Sequence, residues 1–278
     1  MVTTEPEILS LALTENLYKD KLGSYTTYYS GTYARNNNVQ LATRRIDGYE
    51  LMPGEEFSYD QTILPRTAAN GYMAAPVYVG NKVESGMGGG ICQPSSTLYG
   101  AALYANLEIL ERHNHSMQVS YMPAGLDATI AQGALDLRLR NSTPYPVKIS
   151  AQASGGVLTF SIWGYNPENI SVDILRSGSG YQYYATRVVK KDGKEISREA
   201  LSSSRYVPPE PTPTPSASPE PDASPSPEDG ENAATPAPSE GTGNLPENTE
   251  APSVPTEAAT PVPAPTVAPA TTEPTIIE

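Results

Sequence analysis

Hydrophobic and polar positions change period several times along this chain, and each change marks an element. Residues 94–111 carry the clearest helical pattern. Leu98, Ala102, Ala105 and Ile109 fall at i, i+4, i+7 and i+11 on one stripe. Pro94 suits the first helical position, where its missing N–H costs nothing. The stretch "HSMQVSYMP" then alternates strictly, with His115, Met117, Val119 and Tyr121 on one face and Ser116, Gln118 and Ser120 on the other. A period of two predicts a strand, with His115 turned to the core side.

Further strands are predicted in "ATIAQGALDLRLRN", in "YPVKISAQA" and, across a Gly-Gly turn, in "GGVLTFSIWG". Upstream, Ile8, Leu11, Tyr18 and Leu22 have helical spacing and stop at Gly23, which reads as a lead-in helix or the remnant of an upstream domain. The Tyr/Thr-rich "SYTTYYSGTY" suits a strand. "NNNVQLATRRI" reads as a short helix ending before the Asp47-Gly48 turn signal. Pro53-Gly54 predicts a turn into a strand centred on Phe57, and Val77–Val79 begins a hairpin with its turn at Gly80-Asn81. From 166 to 206, alternation in "YQYYATRVV" and the "KKDGKEI" turn predict a small antiparallel add-on.

Composition divides the chain again. Residues 207–278 hold 19 of the 28 prolines, 12 of the 31 acidic residues and no Lys or Arg. Residues 1–206 therefore carry 18 basic and 31 − 12 = 19 acidic groups, so the net charge of −13 belongs almost wholly to the tail. The body has no basic excess, which argues against a nucleic-acid partner. The organisation read from these patterns is 1–23 lead-in, 24–164 main domain, 165–206 small β-rich extension and 207–278 disordered acidic tail. No apolar run is long enough for a membrane span, and the start lacks the basic and apolar regions of a signal peptide. The Pro/Thr/Ser-rich tail nevertheless resembles an extracellular spacer, so an anchor upstream of this sequence is expected. "LPENTE" lacks the threonine and the apolar segment of a wall-sorting signal, because Asn248 stands at the critical position.

Candidate chemistry converges on "GGGICQPSSTLY", which contains the chain's one cysteine. Cys92 lies two residues before Pro94, at a helix N-terminus, where unpaired N–H groups and the positive end of the macrodipole favour a thiolate. The glycines at 88–90 remove side-chain bulk, and the backbone amides around Gly89, Gly90 and Gln93 are candidates for holding substrate or an oxyanion. A thiol nucleophile needs a base and a group to orient it. Only His113 and His115 are available as imidazoles, and Asp127 follows the Pro123–Gly125 turn at the start of the next strand. Cys92, His115 and Asp127 are therefore the candidate triad, with His113, Asp136 and Arg138 as candidate support.

Other readings use the same residues. Cys92 can be a small buried hydrophobe, His115 a core histidine, His113 a helix C-cap and Asp127 a turn residue. Eighteen tyrosines against two phenylalanines suit a noncatalytic face that binds wall glycan or peptide. A zinc site of Cys92, His113, His115 and Asp127 has acceptable ligands but lacks paired-ligand spacing, so no metal and no cofactor is expected.

"RRIDGYELMPGEEFSYD", "GGGICQPSSTLYGAAL", "ERHNHSMQVSYMPAGLDATI" and "LDLRLRNSTPYPVKI" together closely resemble the VanW family over residues 24–164. The resemblance implies a bacterial protein of the cell envelope, usually anchored at its N-terminus, in the setting of vancomycin resistance. "HSMQVSYMPAGLDAT" is more loosely similar to the His-strand-turn-Asp segment of transglutaminase-like domains, and the Cys, His, Asp order is shared with papain-like ones. The expectation is an α+β domain with an antiparallel or mixed sheet on a central helix. Its expected partner is a cell-wall peptide or glycan. Its expected function is amide hydrolysis or acyl transfer by the triad, with a noncatalytic wall-binding protein as the alternative.

Overall fold

Residues 157–164 alternate between buried Leu158, Phe160 and Ile162 and the less buried Thr159 and Ser161, the mark of a strand with one face on a core. The computed structural model describes residues 16–79 and 82–208, and it places this strand inside an antiparallel sheet. The order is β1 (Asp20–Tyr28), β9 (Val157–Gly164), β8 (Val147–Ser154) and β2 (Glu50–Leu51). The outer face is a hydroxyl ladder, with Ser24 and Ser161 2.9 Å apart and Thr26 and Thr159 2.8 Å apart. Against the inner face pack α1 (Tyr33–Ile46), over β8, and α3 (Cys92–Tyr104), over β1 and β9. Thr32 caps α1 through its side chain.

A short helix α2 (Tyr59–Ile63) follows β3 (Glu56–Ser58), which joins β7 (Arg138–Arg140) and β6 (Glu108–Glu111) in a three-stranded sheet. A hairpin of β4 (Ala74–Val79) and β5 (Lys82–Met87) precedes α3. The add-on sheet has the order β10 (Ile170–Ser179), β11 (Gln182–Lys191) and β12 (Lys194–Ala200), with β13 (Ser204–Arg205) also paired to β11. The fold is thus α+β with antiparallel sheets. Among the described residues no helix is long and apolar enough to cross a membrane.

Three expected elements differ. The helix predicted to run to Glu111 stops at Tyr104 because Asn106 takes a left-handed conformation. Leu107 N–H then bonds Ala102 O at 3.0 Å and Asn106 N–H bonds Leu103 O at 3.1 Å, the paired bonds of a Schellman ending. Residues 108–111 are released to β6, so Ile109 matched the stripe by coincidence. The strand predicted from His115 is irregular chain. His115, Val119 and Tyr121 line one cleft, but Ser120 from the opposite predicted face lines it too and Met117 does not, and the His115 N–H goes to a carboxylate instead of a strand partner. The long strand expected over 128–141 shrinks to β7, preceded by isolated bridges His113–Thr129 and Ala131–Leu135. Most of the lead-in helix, the Gly80-Asn81 turn and nearly all of the tail lie outside the described residues, and Asp20–Leu22 belong to β1.

Helix α3 is buried from Gln93 to Leu103, so its polar side chains must find partners inside the protein. Ser96 Oγ reaches Cys92 O at 2.9 Å and accepts the Ala128 N–H at 2.9 Å. Ser95 Oγ, also buried, has no partner. Removing the two hydroxyls should therefore have opposite effects. In urea unfolding, Ser95→Ala is expected to stabilise by about 1 kcal/mol, and Ser96→Ala, which orphans the Ala128 amide, to destabilise by about 1–3 kcal/mol.

Candidate functional site

Cys92 opens α3, and its backbone is fixed from both sides. Tyr59 Oη donates to Ile91 O at 2.7 Å, and Gln93 N–H donates to Gly90 O at 3.1 Å. Cys92 is half-buried and lines a cleft of about 500 Å³. It is hydrogen-bonded to the His115 imidazole. The Thr129 hydroxyl and the Ile130 carbonyl each stand 3.7 Å from Sγ.

Asp127 is fully buried and collects donors on both oxygens. Oδ2 accepts from the His115 backbone N–H and from Nδ1, both at 2.7 Å. Oδ1 accepts from Tyr206 Oη at 2.5 Å and from Arg112 Nη2 at 3.3 Å. With Nδ1 committed to Asp127, Nε2 is the nitrogen left to face the thiol, and Tyr121 Oη stands 3.4 Å from it. The structure thus brings Cys92, His115 and Asp127 into one hydrogen-bonded line.

The titration of the three groups follows from that line. Burial alone pushes the Cys92 thiol up, but the hydrogen bond and positive charge of His115, with the Ile130 backbone and the Thr129 hydroxyl, bring it below the ordinary thiol value. Burial alone pulls His115 down, and the Asp127 and Cys92 hydrogen bonds outweigh it, raising the imidazole to about 9. Burial opposes ionisation of Asp127, yet the bonds from His115 and Tyr206 hold its carboxyl below the usual value. These shifts favour a thiolate beside an imidazolium backed by a carboxylate.

The remaining candidates have other places. A methyl group on Gly89 would meet Ala75 O at 2.5 Å, and one on Gly90 would meet Arg35 Cγ at 2.8 Å. Their smallness therefore serves packing against β4 and Arg35, where the sequence pointed to room for substrate. Gln93 is a brace: its Nε2 donates to Tyr28 O at 2.8 Å and Thr27 Oγ1 at 3.1 Å, and its Oε1 accepts from Arg35 at 2.7 Å. All three N–H groups of Gln93 are thereby engaged, so it offers no oxyanion donor. His113 turns its ring to Glu111 at 3.0 Å, while its backbone carbonyl takes the Thr129 N–H at 2.8 Å and so fixes the residue beside the thiol. Asp136 accepts from Ser58 Oγ and from the Asp60 and Leu137 amides, serving α2 instead of the triad. Arg138 pairs with Glu56 at 2.5 Å on the surface. Neither reaches Cys92 or His115 through these contacts. Among the described residues no three His, Cys, Asp or Glu side chains are grouped to hold a metal ion.

Sequence reasoning missed Arg112 and Tyr206, which complete the Asp127 environment. Arg112 Nε donates to Asp127 O at 2.6 Å and its Nη2 to Ser204 Oγ at 2.8 Å. Tyr206 Oη, besides serving Asp127, accepts the Gly125 N–H at 2.7 Å. Arg35 was missed as well.

Fold and site together define an α+β domain with a Cys–His–Asp line at the start of a buried helix. Residues 34–163 match the family described as "VanW like protein", so this part of the chain is similar to that family. Over 152 residues the chain is 38% identical to "Uncharacterized protein YoaR" of Bacillus subtilis (strain 168), covering 54% of this chain and 50% of that protein. It is 26% identical over 178 residues to "Vancomycin B-type resistance protein VanW" of Enterococcus faecalis (strain ATCC 700802 / V583), covering 59% of this chain and 65% of that protein. The chain thus spans about half the length of the first relative and under two thirds of the second. No solved structure matches it.

The alkylation rate of Cys92 by iodoacetamide, measured against pH, checks these electrostatics. The midpoint is expected below the free-thiol value of about 8.5. In His115→Ala only the Ile130 backbone and the Thr129 hydroxyl remain to oppose burial, so the midpoint is expected to rise and the rate at pH 7 to fall about tenfold or more.

Proposed function

We propose that this VanW-like domain is a cysteine-dependent acyl-transfer or amide-hydrolysing enzyme acting on the peptide part of the bacterial cell wall. The Cys92 sulfur attacks an amide carbonyl and forms a carbon–sulfur bond. His115 gives its Nε2 proton to the departing amine as the carbon–nitrogen bond breaks, leaving a thioester on Cys92. Water or a second amine then attacks the thioester, passes its proton to His115 and releases the thiolate. Asp127 fixes the ring through Nδ1 and stabilises its positive charge during both steps, the role a buried carboxylate takes in Cys–His–Asp and Ser–His–Asp sites.

The hydrogen-bonded line from Asp127 through His115 to Cys92, opening on the cleft, is the observation that carries this reading. Its residue order also supports the likeness to transglutaminase-like domains, although here His115 and Asp127 lie on irregular segments. The wall peptide as substrate rests on the Enterococcus relative, whose name associates it with vancomycin resistance. An extracellular, envelope-bound setting, with the tail as spacer, agrees with the composition of residues 207–278.

A second reading, a noncatalytic wall-binding protein, draws on another cleft of about 350 Å³. Tyr104, Tyr145 and Tyr165 line it with Asn106 and Asn166, a mixture of rings and amides suited to stacking and hydrogen bonding with a sugar.

Intact-mass measurement after incubation with purified wall muropeptides separates the two. The enzyme reading expects a peptidyl adduct on the protein that is absent in Cys92→Ala, together with cleaved or exchanged peptide. Wall binding equal in both proteins, with no adduct and unchanged peptides, would instead establish the binding module.

A further inference from the structure

The cleft beside Cys92 has an unbalanced charge. Among the described residues its walls include two arginines, Arg35 and Arg66, and no Asp or Glu, although residues 1–206 contain 19 acidic groups. Arg66 is neutralised within the protein by Asp60 at 2.6 Å, both side chains being nearly inaccessible. Arg35 has no carboxylate partner among the described residues. Its named acceptors are neutral: Ser30 O at 3.0 Å and Gln93 Oε1 at 2.7 Å. A guanidinium has five N–H donors in a planar fork that matches a carboxylate, and two neutral acceptors leave most of that capacity unused.

The side chain is also held in place. Gly31 and Gly90, both at positive φ (137° and 102°), flank its stem. A methyl group on Gly31 would stand 3.1 Å from Arg35 Cδ, and one on Gly90 would stand 2.8 Å from Cγ. Gln93 is oriented too. Because its Nε2 serves Tyr28 and Thr27, its Oε1 must point at Arg35. The residue following the nucleophile is therefore wired to the cation, and thiol and guanidinium are fixed by the same helical turn. A charge positioned this way, unpaired and facing a nucleophile's cleft, loses little entropy when an anion arrives.

We infer that Arg35 is the specificity-determining residue of this cleft and binds a carboxylate of the peptide presented to Cys92. This rests on the reactive thiol proposed above and narrows its substrates to peptides with a carboxylate close to the scissile bond. A neutral peptide would leave the guanidinium facing the cleft with only its neutral partners.

Two alkylating agents of similar size, iodoacetate and iodoacetamide, differ in the charge that Arg35 should sense. In both, Sγ displaces iodide. The iodoacetamide rate reports the thiolate, and so the proposed function; the ratio of the iodoacetate rate to the iodoacetamide rate reports Arg35. With glutathione as reference, the protein's ratio is expected to be about tenfold higher, the size of one charge-assisted contact. Arg35→Gln should lower the ratio severalfold, the iodoacetamide rate in the denominator cancelling any change in thiolate reactivity that the lost charge brings, while Arg35→Lys should retain part of the preference. In the unaltered protein, N-acetylalanine should slow iodoacetamide alkylation and N-acetylalaninamide should not, a comparison that holds even if Arg35→Gln fails to fold. A ratio equal to that of glutathione, an unchanged ratio in folded Arg35→Gln, or equal protection by acid and amide would overturn the assignment while leaving the reactive thiol standing. A slow iodoacetamide reaction with an ordinary thiol midpoint would remove the proposed function itself.

Discussion

Asp127 is a carboxylate without access to solvent, and the structure around the cleft is arranged to keep it ionised. An uncompensated charge in such a place is costly enough that the group would ordinarily take up a proton. Here Oδ2 receives two N–H groups from His115, and Oδ1 receives the Tyr206 hydroxyl and the Arg112 guanidinium. The compensation comes from two separate parts of the chain: Arg112 and His115 just after β6, and Tyr206 just after β13. Tyr206 and Ser204 tie that sheet into the site, so the β-rich region after residue 165 contributes directly to the buried carboxylate.

The rest of the site follows from that charge. A fixed carboxylate orders the imidazole and raises its proton affinity, and the resulting imidazolium lowers the thiol against the pull of burial. The helix supplies the sulfur's position. Ser96, one turn along from Cys92, binds both the Cys92 carbonyl and the Ala128 amide and so ties the helix start to the residue after Asp127. Gln93 does the same toward β1 and Arg35. Thiol, imidazole, carboxylate and guanidinium are held by a few side-chain hydrogen bonds.

Several parts of this were legible in the sequence because they depend on local order. Alternation and turn residues located β8 and β9, and Pro94 with the preceding glycines marked where α3 begins. With one cysteine and two histidines, the thiol and imidazole could be found almost by counting, and Asp127 by its distance past a turn. What stayed hidden depends on pairing across long separations or on a single backbone angle. Tyr206 is 79 residues from its partner Asp127, and one tyrosine among 18 carries no signal of its own. Arg35 sits beside a run of asparagines whose pattern speaks only of a polar helix face. The end of α3 turned on Asn106, a residue that tolerates the left-handed region, while the apolar stripe ran on past it. The segment from His115 did not form its strand, because a carboxylate took the backbone N–H that a neighbouring strand would have used.

The proton between Cys92 and His115 is the most direct test of this account. In protein labelled with nitrogen-15 at histidine, the ring shifts of His115 report both nitrogens at each pH. The account predicts that both are protonated at pH 7 and that the ring loses its proton near pH 9, with the change moving to lower pH in Asp127→Asn. A neutral ring at pH 7, titrating near the ordinary value of about 6.5, would contradict it.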